Sequence, residues 1–216
     1  MRDLILRWQR GWGVARGLPA ADDLGNGLRV QSLQPGRDVE YVAFDTGDLG
    51  SLTERVRAER DITWLTVPTA EPARTAEVLE AAGLILLRRA EQLMTVELAD
   101  HPDGKLAGPY GLEVSVDRAV VTAMVRHESG AVAAKGTMGL SDTDAVADRI
   151  ETMPAHRRRG LARVVMGALA RTAAGQGAEH GILIASQDGQ RLYTTLGWRT
   201  VAEVLIATTP GNSYPS

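Results

Sequence analysis

The stretch Ile150-Glu151-Thr152-Met153-Pro154-Ala155-His156-Arg157-Arg158-Arg159-Gly160-Leu161-Ala162-Arg163 decides how this chain is read. It predicts the end of a strand, a turn opened by proline, a basic loop containing one glycine, and an apolar helix from Leu161 to about Ala174. Such a loop aims backbone N–H groups and the positive end of a helix dipole at one point, which suits a phosphate or pyrophosphate. The plainer alternative is an ordinary helix start with solvated arginines. The chain has no Gly-x-x-x-x-Gly-Lys-Ser/Thr and no Gly-x-Gly-x-x-Gly, so neither the nucleotide-triphosphate loop nor the dinucleotide fingerprint applies.

The bulk properties narrow the classes. With 216 residues, 44% of them hydrophobic, the chain has material for one large domain or two small ones. A net charge of −3 with no basic stripe gives no drive toward nucleic acid. No run reaches transmembrane length, and Arg2, Arg7, Arg10 and Arg16 break up the first apolar segment, so no membrane is expected and a cytoplasmic protein is the default. The absence of cysteine excludes disulfides, thiolate metal sites and an acyl-cysteine intermediate. His101, His127, His156 and His180 lie at no metal-ligand spacing, so no metal is expected.

Turn signals cluster between Asp100 and Gly111, as in a linker. Before them the pattern predicts a helix from Asp3 to Arg16, strands at Leu28 to Leu33 and Val39 to Phe44, and a helix from Ser51 to Arg60 with a capping box at Ser51 and Glu54. A strand at Ile62 to Val67, a helix from Pro72 to Ala82 and a strand-rich Leu84 to Leu98 follow. After the linker come four strands (Leu112 to Val116, Ala119 to Val125, Val132 to Leu140, Ala145 to Thr152), with a hairpin turn at Glu128-Ser129-Gly130. The arginine loop and its helix, a strand at Gly181 to Ala185, a helix from Gln190 to Leu196 and a strand from Trp198 to Thr208 complete the chain. This order predicts an α/β fold with a mixed, mostly antiparallel sheet flanked by helices.

Two motifs carry a resemblance. Thr152-x-Pro154-x-x-Arg157-x-x-Gly160-x-Ala162 and Leu192-Tyr193-x-x-Leu196-Gly197-Trp198 are similar, in that order, to the acyl-CoA pyrophosphate loop and the Leu-Tyr-x-x-x-Gly-Phe segment of the GNAT superfamily of N-acetyltransferases. The resemblance covers about Leu112 to Thr208. It implies the acyl-CoA N-acyltransferase fold, acetyl-CoA as co-substrate, and backbone pairing of Ile150 and Thr152 with the pantetheine amides. It further implies a pyrophosphate cradle made by the N–H groups of Arg158, Arg159, Gly160, Leu161 and Ala162, with Arg157, Arg159 and Arg163 as charge partners. Gln187 stands where the family often has an asparagine that contacts the pantetheine arm. Tyr193 matches a proton donor to the coenzyme A thiolate; its other reading is a tyrosine that anchors a short helix. Glu151 is the candidate base, or else a structural partner of Arg149 or the arginine loop.

The chain also departs from the family. Val116 runs almost directly into the next strand, leaving no sequence for the helices that usually wall the acceptor site. Residues 1–100 are the obvious substitute. They repeat the helix–glycine–strand pattern at Val78 to Leu84, but carry Leu79 where the second half has Tyr193 and contain no arginine loop. The match is either a common helix–glycine–strand joint or the trace of a duplication; on the second reading the chain is a degenerate acetyltransferase-like half, 1–100, and an acetyl-CoA-binding domain, 105–216. Trp8, Trp12 and Trp64 either contribute to an acceptor pocket or pack in their own core, and Asp142, Asp144 and Asp148 would favour a cationic amine if they face it. The expected activity is transfer of acetyl from acetyl-CoA to a small primary amine by direct attack in a ternary complex. The alternative is a non-catalytic acyl-CoA-binding or sensing module. A homodimer is left open.

Overall fold

The structure, a computed structural model, describes residues 1–87 and 90–213. A helix, α1 (Arg2–Arg16), is followed by β1 (Asp22–Asp23), β2 (Gly27–Gln34), β3 (Arg37–Ala43), α2 (Leu49–Ala58), β4 (Thr63–Thr69), α3 (Pro72–Ala81), β5 (Ile85–Leu86) and β6 (Glu91–Glu97). The second half continues with β7 (Tyr110–Asp117), β8 (Val120–His127), β9 (Val132–Ser141), β10 (Asp144–Thr152), α4 (Leu161–Gly175), β11 (His180–Ala185), α5 (Gln187–Thr195) and β12 (Arg199–Thr208). The α/β class and the mostly antiparallel sheet expected from the sequence are found. Of the expected strand-rich stretch from Leu84 to Leu98, residues 88–89 lie outside the described residues.

Local chemistry explains most of these boundaries. α4 begins where Gly160 supplies a left-handed φ of 73°, and its face of Leu161, Val165, Ala168 and Leu169 is buried. β4 is buried at every position because strands flank it and helices or α1 cover both faces, whereas β7 is a mostly exposed edge. The capping box expected at Ser51 is not the one used. α2 starts at Leu49 with Asp48 as its cap, because Leu49 and Leu52 are core residues and the Asp48 carboxylate takes the Ser51 N–H. α5 likewise opens at Gln187 rather than Gln190.

Among the described residues all the strands belong to one sheet, in the order β1-β2-β3-β4-β12-β6-β11-β10-β9-β8-β7, with β5 beside β12. The halves exchange strands at its centre. β6, from the first half, lies between β11 and β12 of the second, and β12 lies between β6 and β4 of the first. The arrangement repeats about this centre. β3 and β4 are parallel and joined through α2; β10 and β11 are parallel and joined through α4.

One face of the sheet carries α4 and α5 over the second half, with Met94, Val125, Met138, Leu169 and Leu183 in that core. On the first half α2 and α3 pack on Tyr41, Leu65, Val67 and Ala207. α1 covers the opposite face, where Ile5, Trp8 and Trp12 join Val30, Val42, Trp64, Val146, Ile182 and Ile206 from both halves. Although first in the chain, α1 rests on β9 and β10 of the second half. It lies so close there that a Cβ on Gly139 would collide with the Gly11 carbonyl. Two bidentate ion pairs hold it: Arg7 to Asp144 at 2.6 and 2.8 Å, and Arg16 to Asp148 at 2.7 and 2.8 Å. Among the described residues no helix is long and apolar enough to cross a membrane.

Candidate active site

β10 and β11 pair only from Asp144 to Val146 and from His180 to Ile182, and then diverge. β10 stays bonded to β9 through a bulge between Asp148 and Glu151, where Arg149 takes a left-handed φ of 54°, and β11 stays bonded to β6 as far as Ala185. The edges of 147–152 and 183–185 that face each other are therefore unpaired. Such edges present amide donors and acceptors to an extended ligand. Ile150 and Thr152, expected to serve this purpose, lie on the β10 side of the cleft.

At the wide end of the cleft the chain makes a 3-10 turn at Pro154–His156 and then turns through left-handed Arg158 (φ 63°) and Gly160 (φ 73°) into α4. Among the described residues no acceptor takes the backbone N–H of Arg158, Arg159, Gly160, Leu161, Ala162 or Arg163, and Gly160 offers no side-chain cap. A Cβ built on Gly160 meets nothing within 4 Å, so the space in front of these donors is open. The loop arginines are exposed. Arg157 Nε donates to the Thr152 carbonyl at 3.3 Å, Arg159 donates to the Tyr110 hydroxyl at 2.9 Å, and Arg163 reaches the Thr195 hydroxyl on α5 at 3.3 Å. A basic, donor-rich loop at the N-terminus of a long helix fits a pyrophosphate.

The corresponding place in the first half is built with the opposite charge. The loop between β3 and α2 carries Asp45, which accepts the Gly47 N–H at 2.8 Å, and Asp48, which caps the helix. Carboxylates already occupy the donors that a phosphate would need, and they would repel it.

The narrow end of the cleft opens into a cavity of about 330 Å³ lined from every side: Trp8, Trp12 and Arg16 of α1, Arg37, Glu40 and Thr66 of the first half, Asp148, Arg149 and Ile150 of β10, and Ser186 and Tyr193 beyond β11. Tyr193 is 8% exposed and packs against Trp198, yet its ring borders this cavity. Burial, with a smaller push from the Asp148 carboxylate, raises its pKa well above the ordinary phenol value, so it stays protonated at neutral pH. Among the described residues no partner hydrogen-bonds its hydroxyl.

The cavity floor is polar, and no sequence motif foretells it. Glu40, 2% exposed, accepts from Thr66 Oγ1 at 2.6 Å and faces Arg37 at 3.1 Å. The Arg37 guanidinium lies 4.6 Å from the Trp64 ring centre and 5.7 Å from that of Trp12. Trp8 and Trp12 stack at 5.3 Å along one wall, while Trp64 is buried beneath. Arg16, Arg37, Glu40 and Thr66 stand in no recognisable pattern, because the exchange of strands and the packing of α1 bring them here.

Two expected site residues do not line the cavity. Glu151 sits beyond the bulge, directly across from Lys135, and pairs with it at 3.4 Å; it does not line the cavity. Gln187 is exposed at the first position of α5, and the cavity is lined instead by its neighbour Ser186. Asp142 is exposed on the β9–β10 turn near Arg10, Asp144 is taken up by Arg7, and of the three only Asp148 reaches the cavity.

Residues 118–206 match the family model described as FR47-like protein. The fold is shared with a GCN5-related N-acetyltransferase from Kribbella flavida (TM-score 0.70, 18% identity, 98% of this chain and 96% of that one). A GCN5-related N-acetyltransferase from Sphaerobacter thermophilus superposes with TM-score 0.63 at 11% identity, over 88% of this chain and 79% of that one. A tandem GNAT protein from the clavulanic acid biosynthesis pathway gives 0.59 at 14%, over 90% and 82%. No curated protein matches the sequence.

Proposed function

We propose that this chain, a GNAT-superfamily protein by its fold and by the FR47-like match of its second half, is an acetyltransferase that moves an acetyl group from acetyl-CoA to a primary amine. What supports the reading is the set of free N–H groups of Arg158 to Arg163 just after β10, the unpaired edges of β10 and β11, and Tyr193 bordering the cavity that those two strands line. The loop donors hold the pyrophosphate, the strand edges hold the pantetheine amides, and the thioester is thereby directed toward the cavity.

The cavity supplies the rest. An amine lodged against Trp8, Trp12 and the Arg37–Glu40 floor bonds through nitrogen to the thioester carbonyl carbon as the C–S bond breaks. Tyr193 gives its proton to the departing sulfur, the amine nitrogen gives up its surplus proton to solvent, and solvent returns a proton to the Tyr193 phenolate, so the protein ends as it began. Burial keeps the phenol protonated and so in the form that donates, while the same upward shift makes it a weaker acid than a free phenol, so its contribution rests on its position beside the thioester. Positioning two reactants together is itself a large part of the rate. With no cysteine in the chain, transfer is direct, within a ternary complex.

In this reading residues 1–100 are a degenerate copy that has exchanged cofactor binding for a structural role, in which α1 and the floor residues wall the acceptor. The cytoplasm, a small-molecule amine partner and freedom from nucleic acid and membrane complete the proposal.

A non-catalytic acyl-CoA-binding module is the second reading, and a specific observation favours it: Glu151 stands outside the cavity, while Glu40 and Asp148 are already paired with arginines. A thermal-shift titration with acetyl-CoA and free coenzyme A, then a panel of primary amines followed by thiol release, separates the two. Binding with turnover supports the enzyme, binding without turnover on any amine supports the module, and no binding removes both.

A further inference from the structure

Beside the arginine loop, on the α4 side of the β7–β8 hairpin, lies a cluster that the mechanism does not use. Tyr110, His127 and His156 have their rings packed together. Tyr110 lies 5.4 Å from His127 and 5.7 Å from His156, and the two imidazoles are 5.5 Å apart. Arg159 of the loop joins them through the Tyr110 hydroxyl.

The hydrogen bonds define what this cluster offers. The Tyr110 oxygen accepts from Arg159 at 2.9 Å, which leaves its own proton available to His156 Nδ1 at 3.1 Å. In the tautomer that uses this proton, His156 Nδ1 accepts and Nε2 carries the hydrogen. His127 Nδ1 accepts the Ser129 N–H at 3.2 Å and lies 2.9 Å from the Ser129 hydroxyl, which places its proton on Nε2 as well. Both Nε2–H groups lack partners among the described residues, and Arg159 keeps further N–H groups free. The nearby carboxylate Glu113 is engaged by Arg126 on the other face of the hairpin. The patch presents imidazole and guanidinium donors at the rim of the pyrophosphate cradle, with the exposed carboxylate of Glu128 next to His127 in the chain. A patch of that kind selects an anion with several oxygens.

We propose that Tyr110, His127, His156 and Arg159 bind the 3′-phosphate of the coenzyme A ribose. This rests on the reading of the loop as the pyrophosphate site. Coenzyme A carries a phosphomonoester one ribose away from its pyrophosphate, and the cluster lies one residue's reach from the cradle, since Arg159 belongs to both. Arg159 and the imidazole Nε2–H groups meet the phosphate oxygens directly, and Tyr110 positions Arg159 and His156.

Isothermal calorimetry with coenzyme A and 3′-dephospho-coenzyme A tests this on the full chain. Wild type is expected to bind coenzyme A about tenfold or more tightly than the dephospho form, the size of at least one hydrogen bond to a charged group. The double variant His127→Ala/His156→Ala, whose side chains are only half-buried, should lose that preference while its affinity for dephospho-coenzyme A stays at the wild-type value. Tyr110→Phe should lose part of it, read as the ratio of the two affinities because Tyr110 also positions Arg159 of the cradle. Equal wild-type affinities for the two ligands overturn the assignment while leaving the pyrophosphate reading intact. So does a double variant that weakens both ligands alike. Binding of neither ligand overturns the pyrophosphate reading and this one with it.

Discussion

The guanidinium of Arg16 grips both carboxylate oxygens of Asp148, at 2.7 and 2.8 Å, across 132 residues of chain. Both side chains are nearly buried, and Arg16 also lies 5.3 Å from the Trp12 ring centre. The pair ties the last turn of α1 to β10 just before the bulge, so it fixes the wall of the cavity to the strand that bounds the cleft. Breaking such a pair strands a charge. Arg16→Ala is expected to lower stability by about 3 kcal/mol, read by urea unfolding, and Arg16→Ala/Asp148→Ala should recover part of that loss. Strictly additive single variants would show that the pair is not coupled.

Gly160→Asp places a carboxylate at the N-cap of α4 and reproduces the arrangement that Asp48 makes at α2. With no atom within 4 Å of the new Cβ the protein should fold, although the left-handed φ adds some strain. Acetyl-CoA affinity should fall on the order of 10²-fold or more, because several charge-assisted hydrogen bonds are lost and like charges face each other. Calorimetry on the folded variant checks it; wild-type affinity would remove the loop assignment.

For Tyr193→Phe the expected change is a fall in kcat on the order of 10²-fold with acetyl-CoA affinity unchanged. Because burial raises the phenol pKa, the proton stays in place through mildly alkaline pH, and kcat should show no alkaline decline from this group below about pH 10. If single-turnover rates are the same for both proteins, Tyr193 serves only to pack α5 against Trp198.

His101, in the linker, donates from Nδ1 to the Pro102 carbonyl and accepts the Trp198 indole N–H at Nε2, both at 3.2 Å. Burial lowers its pKa below the ordinary histidine value. The unfolded chain then binds a proton that the folded chain resists, so stability is intact above about pH 6.5 and falls as pH drops from there toward the lowered folded value. His101→Gln keeps an acceptor for Trp198 and should flatten the change in Tm between about pH 7.5 and 5.5, the window that brackets histidine titration. An identical decline in the variant would assign the pH dependence to other groups.

Residues 105–216 expressed alone lack β6, the strand that both β11 and β12 pair with, and α1, which covers β9 and β10. The fragment is expected to be unfolded by circular dichroism and to regain structure and acetyl-CoA binding when mixed with residues 1–104. Calorimetry on the whole chain should give one coenzyme A per chain, since the β3–α2 loop is capped by its own aspartates. A folded, independently active fragment, or a stoichiometry of two, would contradict this division of roles between the halves.

Much of this architecture is legible in the amino-acid sequence. Helical and strand periodicities place nearly every element within a few residues, and the proline, arginines and Gly160 mark the loop. The start of α2 shows where local pattern stops. Ser51 and Glu54 satisfy a capping box, but the burial of Leu49 and Leu52 draws the helix two residues earlier, onto Asp48.

Short-range physics is written along the chain: backbone preference, side-chain period, and a loop whose donors and charges are consecutive. The tertiary structure alone decided which strands are neighbours. The exchange of β6 and β12 puts Arg37, Glu40 and Thr66 opposite Tyr193, and α1 brings in Arg16, Trp8 and Trp12, over separations that no local pattern records. It also removed Glu151 from the cavity. The bulge at Arg149 inserts a residue into β10, alternation no longer tells which side chain enters the site, and Glu151 faces its cross-strand neighbour Lys135 instead.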